Sequence, residues 1–265
     1  AASDVYKRQG IYSIRDNNPD HDHNLRDYYI FSSYSSPNVG TFKETKVSNA
    51  QIKELLRLGV RVIDLEVFTL NKKPVFAASN SENVFEKKSY NHLDVDDTLD
   101  LIRRYAFSAG TAPNFNDPLI IHYRLRTKHK QSLNELAKLT LYSLRGKLLG
   151  KEHGHENHQK NIGTMPLKQL RGKCIIMVTK ADDQSYDDSK LFEIANMSTS
   201  SPFLQSLQHK DVIYAPSIKD LVNTNKKNMT FSRPDEGKDP KNCTVSAHHA
   251  SGVQMVGMNF QKNDN

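Results

Sequence analysis

Two acids two residues apart, Asp64 and Glu66 in "GVRVIDLEVF", are the first candidates for chemistry in this sequence. The run reads as a strand, and side chains two apart on a strand share a face. Paired carboxylates on one face repel each other unless something positive lies between them. A metal ion, a substrate or a basic residue from elsewhere in the chain would each serve. A second run, "DPLIIHYRLR", places His122, Arg124 and Arg126 on one face, with Lys128 and Lys130 just beyond. Guanidinium groups there suit carboxylates, and they equally suit phosphate, through charge-assisted hydrogen bonds.

The elements that must position these groups alternate along the chain. "DYYIFSSY" predicts a first strand, and "SNAQIKELLRLG" a helix with Ser48 as N-cap, an Ile52, Leu55 and Leu56 stripe, and Gly59 as the stop. "VRVIDLEVF" is the second strand and "KPVFAAS" a shorter third. "DVDDTLDLIRRYAFSAG" predicts a helix with acids in its first turn, ending at Gly110. "QSLNELAKLTLYSLRGKLLG" predicts a long helix opening on a Ser132–Glu135 capping box. "GKCIIMVTK", "DVIYAPS" and "VQMVGMNFQ" predict three later strands. Strands alternating with helices over most of the chain point to a parallel sheet covered by helices, open or closed as a barrel. In a barrel, chemistry belongs at the carboxyl ends of the strands, where Asp64 and Glu66 fall.

Composition narrows the partners. The formal charge is +7 over 265 residues, with lysines and arginines dispersed rather than gathered in one arm. A basic balance favours anionic partners such as phosphoinositides or membrane surfaces. Nucleic acid is not expected, because no finger spacing, RNA-recognition signature or basic helix interleaved with aromatics occurs. No apolar run approaches the ~20 residues that span a bilayer, and the opening "AASDVYKRQG" lacks the apolar stretch of a signal peptide. That opening has no evident connection to the rest of the chain and reads as a cloning or assembly scar. Cys174 and Cys243, without metal-like spacing, are expected as buried thiols. The run "KEHGHENH" (His153, His155, His158) lies in a polar loop and is expected to bind no specific metal. His248 and His249 in "AHHASG" are expected to pack at a barrel end.

Several stretches together resemble the catalytic barrel of the eukaryotic phosphoinositide-specific phospholipases C: "YYIFSS", "LLRLGVRVIDLEVF", "YAFSAGTAPNFNDPLII", "LRGKCIIMV" and "GVQMVGMNFQ". The resemblance implies an α/β fold, a distorted TIM-like (β/α) barrel. It divides the chain into an N-terminal segment, 1–26, an X half, 27–180, a short acidic linker, 181–203, and a Y half, 204–265. It also implies a piece of a longer protein, since the calcium-binding hand modules and the lipid-binding C2 module of the family are not in this chain.

Family members cleave phosphoinositides with two histidines and one calcium ion, and the resemblance carries these roles onto particular positions. The first histidine falls on Tyr34 and the calcium-binding asparagine on Ser35 in "FSSYSSPN". Two calcium ligands fall on Asp64 and Glu66, swapped in length. The second histidine falls on Ala78 in "PVFAASNS", and the last calcium ligand on Arg124. The phosphate-binding lysines fall on Met177 and Thr179, with Lys180 next in the chain. Ser217 and Arg233 match the phosphate-binding serine and arginine of the Y half.

Alanine carries no proton, and tyrosine, with a pKa near ~10, is a poor base at neutral pH. Calcium takes 6–8 oxygens, and an arginine in place of one carboxylate repels the ion as well as removing a ligand. The residues therefore predict a degenerate phospholipase C-like barrel with no functioning catalytic pair. In it Arg124 pairs with Asp64 and Glu66 where calcium would sit, and Arg124, Ser217 and Arg233 remain as phosphate-binding candidates. The expected role is a phosphoinositide or inositol-phosphate binding or signalling scaffold, cytoplasmic and peripheral to the membrane, with protein signalling partners. Two other readings stay open: an active phosphodiesterase with re-sited catalytic groups, for which His122 is the candidate, and a ligand-free barrel that binds protein partners.

Overall fold

In the computed structural model of the chain, residues 13–40, 45–79, 85–154, 160–180, 184–237 and 241–261 are described. Eight strands form its frame. They are β1 (Ile30–Ser33), β2 (Val62–Leu70), β3 (Leu119–Leu125), β4 (Cys174–Thr179), β5 (Met197–Ser198), β6 (Leu204–Gln208), β7 (Met229–Arg233) and β8 (Met255–Met258). The spatial order is β6-β7-β8-β1-β2-β3-β4-β5, every neighbouring pair parallel. The sheet closes through β8 and β1, and β5 and β6 stand at its two ends. It is a nearly closed barrel of the TIM-like kind.

Helices α1 (Asn49–Arg57), α2 (Val95–Ala106), α3 (Lys130–Ser143), α4 (Lys190–Ile194), α5 (His209–Ile213), α6 (Ile218–Asn225) and α7 (Val245–Ala250) come after strands as a barrel requires. α1 starts as its sequence predicts: Ser48 accepts a hydrogen bond from Ala50 N, and Ile52, Leu55 and Leu56 are buried. Gly59 takes φ +88°, a conformation open to glycine at little cost, and turns the chain into β2.

Strand alternation sorts the residues into two layers. Ile63, Leu65, Val67, Ile121, Tyr123, Ile176 and Val178 face outward into the helices. Val62, Ile120, Ile175, Met177, Leu204, Met229, Phe231 and Met255 fill the barrel interior. Gly257 on β8 belongs to this inner packing. A Cβ there would stand 2.8 Å from the Phe231 ring. Gly257→Ala is therefore expected to cost about 1–3 kcal/mol through overpacking, read as a lower urea midpoint. An unchanged midpoint would mean that the Phe231 ring is free to yield.

Some elements differ from their sequence expectations. "DVIYAPS" is not a strand. Gln208 N donates to Asp211 Oδ2 at 2.7 Å, a cap that starts helix α5, and the strand is the preceding "LQSLQ". The Ser132–Glu135 capping box does not form, because His129 Nδ1 accepts from Ser132 N and makes His129 the N-cap of α3. The helix before β3 ends at Ala106, not Gly110. The strand Lys73–Ala77 pairs antiparallel with β2, across a turn in which Asn71 and Lys72 both take positive φ, and so lies outside the parallel barrel order. The segment read as a linker, 181–203, supplies α4 and β5. The N-terminal residues 1–10 lie outside the described residues.

Candidate functional site

The inner face at the carboxyl ends of β2 and β3 carries the charged groups. Register pairs Asp64 with His122 and Glu66 with Arg124, so four polar side chains meet inside one end of the barrel. Arg124 Nε donates to both carboxylate oxygens of Asp64, at 2.9 and 3.0 Å. Its Nη2 lies 2.9 Å from Asp64 Oδ2 and 3.0 Å from Glu66 Oε1, as charge contacts without an N–H aimed along either. Arg126 Nε donates to Glu66 Oε2 at 3.0 Å. Two carboxylates and two guanidinium groups thus compensate one another.

The loop after β1 closes the cluster from above. Ser35, at φ +48°, turns its backbone N toward Asp64 Oδ2 at 2.7 Å, and its hydroxyl toward Glu66 Oε1 at 3.2 Å. Ser36 Oγ accepts from Asp64 N at 2.7 Å. Tyr34 OH takes a hydrogen bond from Arg124 Nη1 at 3.1 Å, and the guanidinium carbon stands 4.2 Å from the centre of the Tyr34 ring. Asp64, Glu66, Arg124 and Tyr34 are 0, 1, 3 and 7% exposed, so solvent reaches almost none of this constellation.

Burial alone would raise the Asp64 pKa. The Arg124 charge and the adjacent His122 outweigh it and hold the carboxyl well below the usual range. Burial likewise disfavours a charged Arg124, yet Asp64 and Glu66 overcome it and keep the guanidinium protonated. His122 is fully buried, with Nδ1 2.8 Å from Asp64 Oδ1 and Nε2 2.8 Å from Thr179 Oγ1, and its ring is edge-on to Phe231. Burial lowers its pKa. Asp64 opposes this, and the Arg124 and Arg233 charges add to the lowering.

These directions set the sign of the pH dependence. A depressed histidine stabilises the fold fully above its ordinary pKa near ~6.5, and that contribution is lost as pH falls below it. Asp64 contributes fully above ~4 and is lost on further acidification. The urea midpoint should fall in two steps on acidification, and His122→Gln should shrink the upper one, to which the buried His248 and the partly buried His249, both also depressed by burial, contribute as well. An unchanged upper step in that variant would place its origin elsewhere.

The other positions singled out from sequence are dispersed around the barrel. Ala78 is buried, its O taking hydrogen bonds from Lys88 N and Ser89 N and its N donating to Ser89 Oγ. Met177 is in the barrel core, Thr179 holds His122, and Lys180 Nζ pairs with Asp187 at 2.9 Å. Ser217 caps α6, accepting from Asp220 N at 3.2 Å, and makes no hydrogen bond to the acid–arginine cluster among the described residues. Arg233 pairs with Glu236 through Nη2 at 2.9 Å, while its Nη1 is buried without a hydrogen-bond partner among the described residues. His153 lies near Glu152, at 3.5 Å, and His155 and His158 fall outside the described residues.

The family model for the phosphatidylinositol-specific phospholipase C X domain matches residues 21–180. The chain belongs to that family. Solved structures agree on the fold of this phospholipase C-family barrel. L. pealei PLC21 superposes with a TM-score of 0.71 at 18% identity, over 92% of this chain and 35% of that one. S. officinalis PLC21 gives 0.71 at 17% identity, with the same shares. This chain thus spans about a third of the length of those proteins. A calcium-dependent phosphoinositol-specific phospholipase C from Pseudomonas sp gives 0.60 at 9% identity, over 94% of this chain and 95% of that one. Comparison with curated proteins gave no match. No helix among the described residues is long and apolar enough to cross a membrane.

Sequence reasoning missed a cavity beside this barrel mouth. It measures about 550 Å³ and is lined by Phe68, Phe85, Lys87, Arg126, Lys128 and His129. Lys128 Nζ stands 4.9 Å from the centre of the Phe85 ring, and His129 is the N-cap of α3. Lys128 was visible in the sequence as a rim residue. Phe85 and Lys87 lie in a polar segment with no periodicity to mark them.

Proposed function

We propose that this barrel binds phosphorylated inositol head groups at a membrane surface without calcium and without hydrolysing them. The observation that carries the reading is the Arg124 side chain lying between Asp64 and Glu66. Calcium requires 6–8 free oxygens at 2.3–2.6 Å. Here both oxygens of Asp64 receive Arg124 Nε, and those of Glu66 face Ser35, Arg124 and Arg126. The residues do not fit the ion. Tyr34 and Ala78, at the positions that the resemblance gives to the catalytic histidines, carry no imidazole to take up and return a proton.

The cavity of Lys87, Arg126 and Lys128 takes the place of that site as the head-group surface. It is within the volume range of small-molecule pockets, and Lys128 above the Phe85 ring, with Lys87 and the Glu66-paired Arg126 along the same lining, suits a phosphorylated ring. Arg233, whose buried Nη1 has no hydrogen-bond partner among the described residues, is a second donor toward the barrel interior. Arg124 acts here as the internal counter-charge, and Ser217 as a helix cap.

Co-sedimentation with phosphatidylcholine vesicles, with and without phosphatidylinositol phosphates, tests the proposal. Binding is expected only with the phosphoinositides, equal in calcium and in chelator. Lys128→Glu should weaken it about tenfold or more, since one charge-assisted hydrogen bond is worth ~1.5–3 kcal/mol. Equal binding to neutral vesicles would overturn the proposal, as would none at all, which would favour a barrel that binds protein partners. Release of soluble inositol phosphate from the vesicles would favour an active phosphodiesterase.

A further inference from the structure

Outside the barrel mouth, three groups with metal-ligand chemistry converge from separate elements. His209 opens α5, Cys243 precedes α7 and His248 lies within α7. One ligating atom from each falls within 4.8 Å of the other two. His248 and Cys243 are buried, and His209 is half-buried. His209 Nδ1 and His248 Nε2 are 2.8 Å apart, with the ring planes 7° from parallel. Ser232 Oγ lies 2.7 Å from His248 Nδ1.

We propose that His209, Cys243 and His248 form a zinc site that ties α5 and α7 to the end of β7. One thiolate and two imidazoles are the donor set of zinc and other borderline-soft ions, and they suit neither calcium nor magnesium. The Ser232 contact is the outer support such a ligand needs. With the Nδ1 proton held against Ser232 Oγ, His248 presents the Nε2 lone pair to the site. Asp235, whose Oδ1 accepts from Lys210 N, lies close enough for its charge to act on both Cys243 and His248 without joining the three ligands, and the fourth position would fall to water. The thiolate and the neighbouring carboxylate would offset the two charges of the ion.

The protons balance without further partners. As the Sγ–zinc bond forms, the thiol proton leaves to solvent. The proton between the two rings belongs to His209 Nδ1, since His248 carries its own on Nδ1; as the ion takes its place that proton moves through solvent to His209 Nε2, and each neutral imidazole ends with one N–H on its non-ligating nitrogen. Zinc–nitrogen bonds of ~2.0–2.1 Å hold two tetrahedral ligands ~3.3 Å apart, so the imidazoles separate slightly on binding. The competing explanation is an imidazole–imidazole hydrogen bond beside an inert thiol.

The full chain would be loaded with zinc or cobalt(II) and dialysed. The unaltered protein is expected to retain one equivalent, show a thiolate-to-cobalt charge-transfer band, and unfold at a higher temperature with zinc. Cys243→Ser and His209→Ala should lose the band and the zinc-dependent rise, and Cys174→Ser should keep both. Ser232→Ala should weaken retention about 10–100-fold. Should Cys243→Ser not fold, His209→Ala at its half-buried position decides alone. A folded, unaltered chain without the thiolate band would overturn the proposal. So would a band that survives both substitutions, or retention that depends on the His153–His158 segment instead.

Discussion

Arg124→Ala should cost about 3–5 kcal/mol, the penalty for removing one partner of a buried ion pair. Against a usual total of ~5–15 kcal/mol, that leaves a marginal fold. The reason is charge. Without the guanidinium, Asp64 and Glu66 remain buried together with Arg126, which touches Glu66 only. Ser35, through its N and its hydroxyl, satisfies some of their hydrogen bonds and none of their charge. Arg124→Lys should recover only part of the loss, because a single ammonium cannot span Asp64, Glu66 and Tyr34 as the planar fork does. The triple change Asp64→Asn, Glu66→Gln, Arg124→Met should cost much less than the sum of its parts, since it removes charge from both sides. Urea unfolding measures all three. A loss under about 1 kcal/mol for Arg124→Ala, the range of exposed pairs, would show that the acids are solvated in solution.

Turnover of phosphatidylinositol phosphates should lie at least about 10⁴-fold below that of a barrel with its acid and base in place, each missing group costing ~10²–10⁴. Three candidates for rescue fail on geometry. The Tyr34 hydroxyl accepts from Arg124 Nη1 and carries no imidazole to relay a proton. Ala78 has no proton to exchange. His122 is held between Asp64 and Thr179 below the mouth and is wholly shielded from any substrate. Release of soluble inositol phosphate, monitored with calcium and with chelator, is the assay. A rate within 10²-fold of an intact barrel, removed by His122→Gln, would restore that histidine as a catalyst.

The pairing of Asp64 and Glu66 with Arg124 was legible because it needs only strand periodicity and parallel register. Side chains two apart share a face, and β2 and β3 are neighbours in the barrel order. Met177 and Thr179 could likewise be placed on the inner face of β4. Local capping was harder to read. Asp211 turns "HKDVI" into a helix, and His129 displaces the predicted Ser132 cap, because single hydrogen bonds decide helix starts. Contacts between distant segments were beyond reach. Nothing in the sequence brings His209 to His248, thirty-nine residues on, or folds Phe85 and Lys87 beside Lys128. Ser217 matched a family position, yet its hydroxyl is used as a helix cap.

Calcium titration calorimetry on the folded chain, compared with Asp64→Asn, tests the central claim most directly. No saturable heat is expected into the millimolar range for either protein, because the guanidinium of Arg124 already balances the charge that the ion would meet. A micromolar site in the unaltered chain, lost in Asp64→Asn, would contradict it.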